Sequence, residues 1–144
     1  MHVAPPKSDL PARILVVEDE IIIAIFVREE LRDAGFEVAM HEDAESALMA
    51  FKAGEFVAAI IDVGLPGGSG VDLVHHLRQT SNDLPIVVAT GADTAPLDAA
   101  FRSDRMLCVL PKPYDGTSLL ACLKSLHVSS SDDSSGAQNA PRSR

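Results

Sequence analysis

Three short apolar runs in this chain each end in charge. Ile14-Leu15-Val16-Val17 leads into Glu18-Asp19-Glu20, Val57-Ala58-Ala59-Ile60-Ile61 leads into Asp62, and Met106-Leu107-Cys108-Val109-Leu110 leads into Pro111-Lys112-Pro113. If the runs are parallel strands of one sheet, their carboxylates and one ammonium gather at a single edge. Three carboxylates suit a hard dication such as Mg²⁺, or Mn²⁺, which prefers oxygen donors. No Cys/His spacing suggests zinc. A carboxylate can also act as a nucleophile toward phosphorus and form an acyl phosphate. The transition state then carries spread negative charge, which a dication, a lysine and a hydroxyl offset by position. Lys112 is the candidate cation. Thr90, at the end of the run Ile86-Val87-Val88-Ala89, is the candidate hydroxyl, and Gly91 follows it where backbone must come close.

The elements that would position these groups alternate along the chain. Continuous apolar runs predict strands at 13–17, 37–40, 57–61, 85–89 and 106–110, buried on both faces as in a parallel sheet. Amphipathic stretches predict helices at 20–34, 44–53, 69–80, 94–102 and 116–127. Gly35 and Gly54 stand where C-terminal glycines belong, and Asp43 and Asp115 where N-caps are wanted. Leu119, Leu123 and Leu126 mark the inner face of the last helix. The fourth helix is weak, with Pro96 in its first turn and only Leu97, Ala99, Ala100 and Phe101 to anchor it. Five βα units imply right-handed crossovers, helices on both faces and a site at the carboxyl ends of the strands.

The 144 residues fit one domain, and 47% apolar content with 4% aromatics predicts an aliphatic core. A net charge of −9 disfavours nucleic acid as a direct partner. Cys108 and Cys122 both fall at apolar positions and read as buried thiols of a reducing compartment. No run approaches the ~20 residues needed to cross a bilayer, and no signal-peptide core is visible, so a soluble cytoplasmic protein is expected. Residues 1–11 read as a loose arm, 12–127 as the domain, and 128–144, rich in Ser, Asp and Gly, as a disordered tail.

The motifs Val16-Val17-Glu18-Asp19-Glu20, Ile61-Asp62-Val63-Gly64-Leu65-Pro66, Ala89-Thr90-Gly91 and Lys112-Pro113 together resemble the response-regulator receiver family of bacterial-type two-component signalling, over about residues 12–127. The resemblance implies a flavodoxin-like (βα)5 sandwich with strand order 2-1-3-4-5. It implies Asp62 as phosphoacceptor, with Glu18, Asp19, Asp62 and the Gly64 backbone carbonyl holding Mg²⁺ (or Mn²⁺). Thr90 would be the hydroxyl that follows the phosphoryl group, Lys112 would be the family's cation, and the Lys112–Pro113 bond would be cis. Implied partners are a histidine kinase or histidine phosphotransfer protein and a downstream protein, on a monomer or weak dimer. One departure stands out. The family usually places Tyr or Phe three residues before the lysine, and this chain has Val109, with its only tyrosine, Tyr114, on the other side. That combination is similar to single-domain receivers with an Ala-Thr-Gly motif, and only a Ser-rich tail follows the fifth helix here. Such proteins dock partners or pass phosphate onward.

Two other readings compete. An aspartate-nucleophile phosphatase would place an acid/base Asp two residues after Asp62, where Gly64 stands. A receiver-shaped binding module that never uses phosphate would explain Val109 but not the acidic trio with Thr90 and Lys112. An FMN site is disfavoured, because Glu18-Asp19 would repel its phosphate. On the first helix, turning Ile23, Ala24, Val27 and Leu31 inward leaves Ile21, Ile22 and Ile25 outside, an apolar patch to be covered either by residues 1–11 or a loop, or by the helical bundle of a phosphodonor. His75-His76 cannot chelate jointly, since adjacent helical residues point about 100° apart.

Overall fold

In the computed structural model, which describes residues 11–65 and 70–130, five strands and five helices alternate: β1 Arg13–Val17, α1 Ile21–Asp33, β2 Glu37–His41, α2 Ala44–Ala53, β3 Ala58–Asp62, α3 Gly70–Thr80, β4 Ile86–Thr90, α4 Ala95–Ala100, β5 Leu107–Pro111 and α5 Gly116–Ser125. All pairings are parallel and the sheet order is β2-β1-β3-β4-β5. Both expectations from the resemblance hold. Every residue of β3 and β4 is buried, as the unbroken apolar runs required.

Alternation along the strands divides the core. Ile14, Val16, Ala58, Ile60, Val87 and Leu110 pack with Val27 and Leu31 of α1 and Leu119 and Leu123 of α5. Leu15, Val17, Ala59, Ile61, Ile86 and Val88 pack on the other face with Ala47 of α2 and Leu73, Val74 and Leu77 of α3. Successive strand residues point to opposite faces, so one sequence run feeds two cores.

Local signals act as the sequence proposed, with exceptions. Asp43 accepts from the Ser46 N–H at 2.8 Å and Asp115 from the Ser118 N–H at 2.8 Å, which caps α2 and α5. Gly35 closes α1 with φ 97, in the left-handed region. Gly54 does not do this; its φ is −135 and the chain leaves α2 extended. The left-handed residue after α5 is His127 at φ 66, where its N–H and that of Val128 bond back to Lys124 and Leu123 carbonyls. Helix α5 therefore ends at Ser125, short of 127. Val128 packs against the α1/α5 core, while the tail from 131 and the arm through residue 10 lie outside the described residues. Helix α4 is six residues with none buried; Leu97 and Phe101 are its partly buried anchors, and Ala99 and Ala100 are exposed.

Candidate functional site

The register that builds the sheet also assembles the charges. Val17 pairs with Ile61, so Glu18 emerges beside Asp62, the last residue of β3. Thr90, the last residue of β4, pairs with Pro111, and Lys112 follows directly. Parity then sorts the side chains. Glu18 follows Val16, Asp62 follows Ile60 and Lys112 follows Leu110 by two residues, and all three predecessors face the α1/α5 core. By the same alternation Thr90 falls in the set of Ile86 and Val88, which faces the opposite core.

The Lys112 Nζ lies 3.1 Å from Asp62 Oδ2 and 3.3 Å from Glu18 Oε1, and both carboxylates are buried. Glu18, Asp19 and Asp62 each offer an oxygen within 4.8 Å of the others, with Asp19 the exposed member. The Asp62 Oδ1 accepts from the Gly64 N–H at 2.8 Å. Thr90 is buried, and its Oγ1 accepts from the Ala92 N–H at 3.0 Å. The Lys112–Pro113 bond is cis.

Excess negative charge in a buried space shifts protonation. Burial, and then the Asp62 carboxylate beside it, push Glu18 up to about 7, against the pull of the Glu20 N–H. Burial alone would lower the Lys112 pKa, but its hydrogen bond to Asp62 and the charges of Glu18 and Asp62 outweigh that, so the ammonium is held above its usual range. Tyr114 lies close enough to feel the same field. Burial and the Glu18 charge push its phenol up to about 12, and its ring sits 6.3 Å from that of Phe26 on α1. Val109, at the position usually aromatic, is half-buried.

Two contributors were not assigned from sequence. Glu20 Oε1 is a third carboxylate partner of Lys112, at 3.6 Å. Its signal was the third acid in the run, but three adjacent acids do not say which turns where. Gly70 opens α3 against the end of β3, where an added Cβ would lie 2.6 Å from the Asp62 carbonyl oxygen and 2.5 Å from the Val63 Cα. Any side chain there would displace the backbone that carries Asp62.

The donor set fits a hard dication: all-oxygen, carboxylate-rich, with no thiol or imidazole in the trio. Beside it a shallow cavity of about 230 Å³ is walled by Ile21, Ala24 and Ile25. Ile21, Ile22 and Ile25 are 71%, 75% and 42% exposed, as the helical pattern predicted. His75 and His76 are both exposed and do not join one another. His75 lies against Phe101 with ring centroids 5.5 Å apart and the planes tilted by 36°, and His76 Nδ1 lies 2.8 Å from the Asp72 carbonyl. Among the described residues no helix is long and apolar enough to cross a membrane.

Comparison with known proteins agrees with this geometry. The family model for the response regulator receiver domain matches residues 14–124. The response regulator MprA of Mycolicibacterium vanbaalenii is 30% identical over 91% of this chain and 57% of its own length. The chain thus spans about half the length of the curated relatives it matches. Among solved structures, the chemotaxis response regulator CheY4 of Vibrio cholerae superposes with a TM-score of 0.72 at 29% identity, covering 80% of this chain and 98% of CheY4. The response regulator TrrA of Thermotoga maritima, solved in complex with Mg²⁺ and BeF, gives 0.71 at 30% identity over 80% of this chain and 98% of TrrA.

Proposed function

Because the chain belongs to the response-regulator receiver family, we propose that Asp62 accepts a phosphoryl group from a histidine kinase or histidine phosphotransfer protein, and that the domain signals through protein contacts. The observation that carries this reading is the single ammonium of Lys112 set 3.1 Å from Asp62 beside a three-carboxylate cluster. Glu18, Asp19, Asp62 and the Gly64 backbone carbonyl would hold Mg²⁺ (or Mn²⁺). Such an ion, when bound, screens the carboxylates from the incoming phosphoryl oxygens.

The chain's own groups then divide the work. An Asp62 oxygen attacks phosphorus and forms an acyl–phosphate bond, while the P–N bond of a phosphohistidine breaks and its electron pair leaves on the imidazole. The Gly64 N–H on Oδ1 fixes the carboxylate's rotation. Lys112 is within reach of the new phosphoryl oxygens. Thr90 accepts from the Ala92 N–H, which leaves its own O–H to donate. Gly64 supplies no acid/base side chain, so the chemistry is self-phosphorylation and self-dephosphorylation rather than turnover.

The exposed patch of Ile21, Ile22 and Ile25, of which Ile21 and Ile25 wall the cavity beside the acids, is the surface we assign to the donor's helical bundle. Ile22→Ser with Ile25→Ser should slow transfer from a protein donor and leave uptake from acetyl phosphate unchanged; equal rates with the protein donor would remove that assignment. The main test is incubation with acetyl phosphate and Mg²⁺ followed by intact mass. A labile phosphoryl adduct, absent in Asp62→Asn, is expected. Val109 favours one second reading, a binding module independent of phosphate, and a wild-type chain that takes up no phosphoryl group would replace the first reading with it.

A further inference from the structure

The geometry points to Glu20 as a positioning residue that holds Lys112 on the solvent side of the acidic site and so slows phosphoryl uptake by Asp62; this rests on the reading of Asp62 as phosphoacceptor. An ammonium has three N–H donors. Here three carboxylates surround it, Asp62 at 3.1 Å, Glu18 at 3.3 Å and Glu20 at 3.6 Å. Glu18 and Asp62 belong to the cluster that can hold a dication, and Glu20 does not. Glu20 is therefore the one partner whose hold on Lys112 does not serve ion binding directly.

The local structure of α1 supports the same assignment. Glu20 is the N-cap of α1, with extended backbone, yet its side chain caps nothing. Asp43 and Asp115, at the same position of α2 and α5, both accept a backbone N–H at 2.8 Å. The short carboxylate of an Asp at an N-cap ordinarily satisfies the helix's unpaired donors, whereas Glu is not among the preferred capping residues. The longer Glu20 side chain is left free of the helix end and reaches the lysine. Its own N–H donates to Glu18 Oε2 at 3.2 Å, which fixes where its backbone sits relative to the cluster.

The consequence follows from charge and reach. To meet a phosphoryl group on Asp62, the ammonium must exchange present partners for phosphoryl oxygens. Glu20 opposes that exchange. The Glu20 side chain is 61% exposed, so its pull is that of a surface ion pair and a modest brake is expected.

The test uses the full chain. Glu20→Gln, which keeps length and removes charge, should raise the acetyl phosphate uptake rate at saturating Mg²⁺ by about two- to fivefold. In a Lys112→Ala background the same substitution should change the rate little, because the brake acts through the lysine. A parallel readout needs no phosphate: in ¹⁵N-lysine-labelled protein the Lys112 ammonium protons should exchange with water faster in Glu20→Gln. An unchanged or slower uptake rate, an equal acceleration in the Lys112→Ala background, or unchanged exchange would each overturn the inference. A wild type without uptake would instead overturn the Asp62 reading, and the claimed brake with it.

Discussion

Two charge networks stand at opposite edges of the sheet, and they are built to different rules. At the amino end of β5, Arg78 of α3 forks onto Asp104 at 2.7 and 3.1 Å, and also donates to the Ser81 and Met106 carbonyls at 3.1 Å. Asp104 in turn accepts from the Met106 N–H at 3.1 Å. Charges there balance one to one. At the carboxyl edge, one ammonium faces Glu18, Glu20 and Asp62, with Asp19 beside them. A saturated fork positions a strand and asks for nothing further. A carboxylate excess in a buried space is unfavourable alone and becomes favourable when a cation arrives. The two are joined by β5 itself, which the Arg78 fork steadies at its entry and which delivers Lys112 at its exit.

The largest expected effect lies at the unbalanced edge. Lys112→Ala should lower the rate of phosphoryl uptake about 10²-fold or more, the size seen when one preorganised electrostatic donor is lost. Because the substitution also removes a cation that competes for the carboxylates, Mg²⁺ should bind more tightly, as titration calorimetry would show. Weaker Mg²⁺ binding would mean that Lys112 organises the carboxylates rather than competing with a cation. At the balanced edge the reverse pattern is expected. Arg78→Ala should destabilise the fold by about 3 kcal/mol, since it leaves Asp104 largely buried and unpaired, and should leave Mg²⁺ affinity unchanged. Urea unfolding with and without Mg²⁺ reads both, and a shift in Mg²⁺ affinity would show that the edges are coupled through β5.

What the sequence made legible follows from how each feature is encoded. The central strands were readable because a doubly buried strand must be apolar throughout, and their common direction placed Glu18, Asp62 and Lys112 at one edge; that they share a face follows from the core each strand feeds. Strand ends were read one residue short at β2, β3, β4 and β5, because apolar content stops at Met40, Ile61, Ala89 and Leu110 while backbone pairing continues through His41, Asp62, Thr90 and Pro111. Ladder hydrogen bonds are indifferent to side-chain polarity. The Arg78–Asp104 fork joins residues 26 apart, and nothing local marks it. Gly70 drew no reading from the sequence, because its need for bare backbone arises from the close approach of Val63. Gly54, expected to close α2, leaves it extended, and His127, read as the last helical residue, is left-handed instead, since the left-handed position depends on where the chain goes next.

The smallest expected effect is a pH signature that only the unbalanced edge should show. Glu18 lies at about 7 in the folded, metal-free protein and at 4.5 when unperturbed. A carboxyl raised on folding makes the folded state bind more protons than the unfolded state between those values. Stability should therefore be greatest below pH 4.5 for this group's contribution, fall as pH rises toward 7, and flatten above it. Each pH unit across a full shift corresponds to about 1.4 kcal/mol, and relaxation and water entry reduce the total to roughly 2 kcal/mol. With a chelator present, the urea midpoint should drop between pH 5 and pH 7.5. Glu18→Gln should abolish the drop, because an amide carries no proton to lose, whereas Arg78→Ala should lower the whole curve and keep its slope. A slope that survives Glu18→Gln would assign the excess proton to another group and would remove Glu18 from the centre of the charge imbalance.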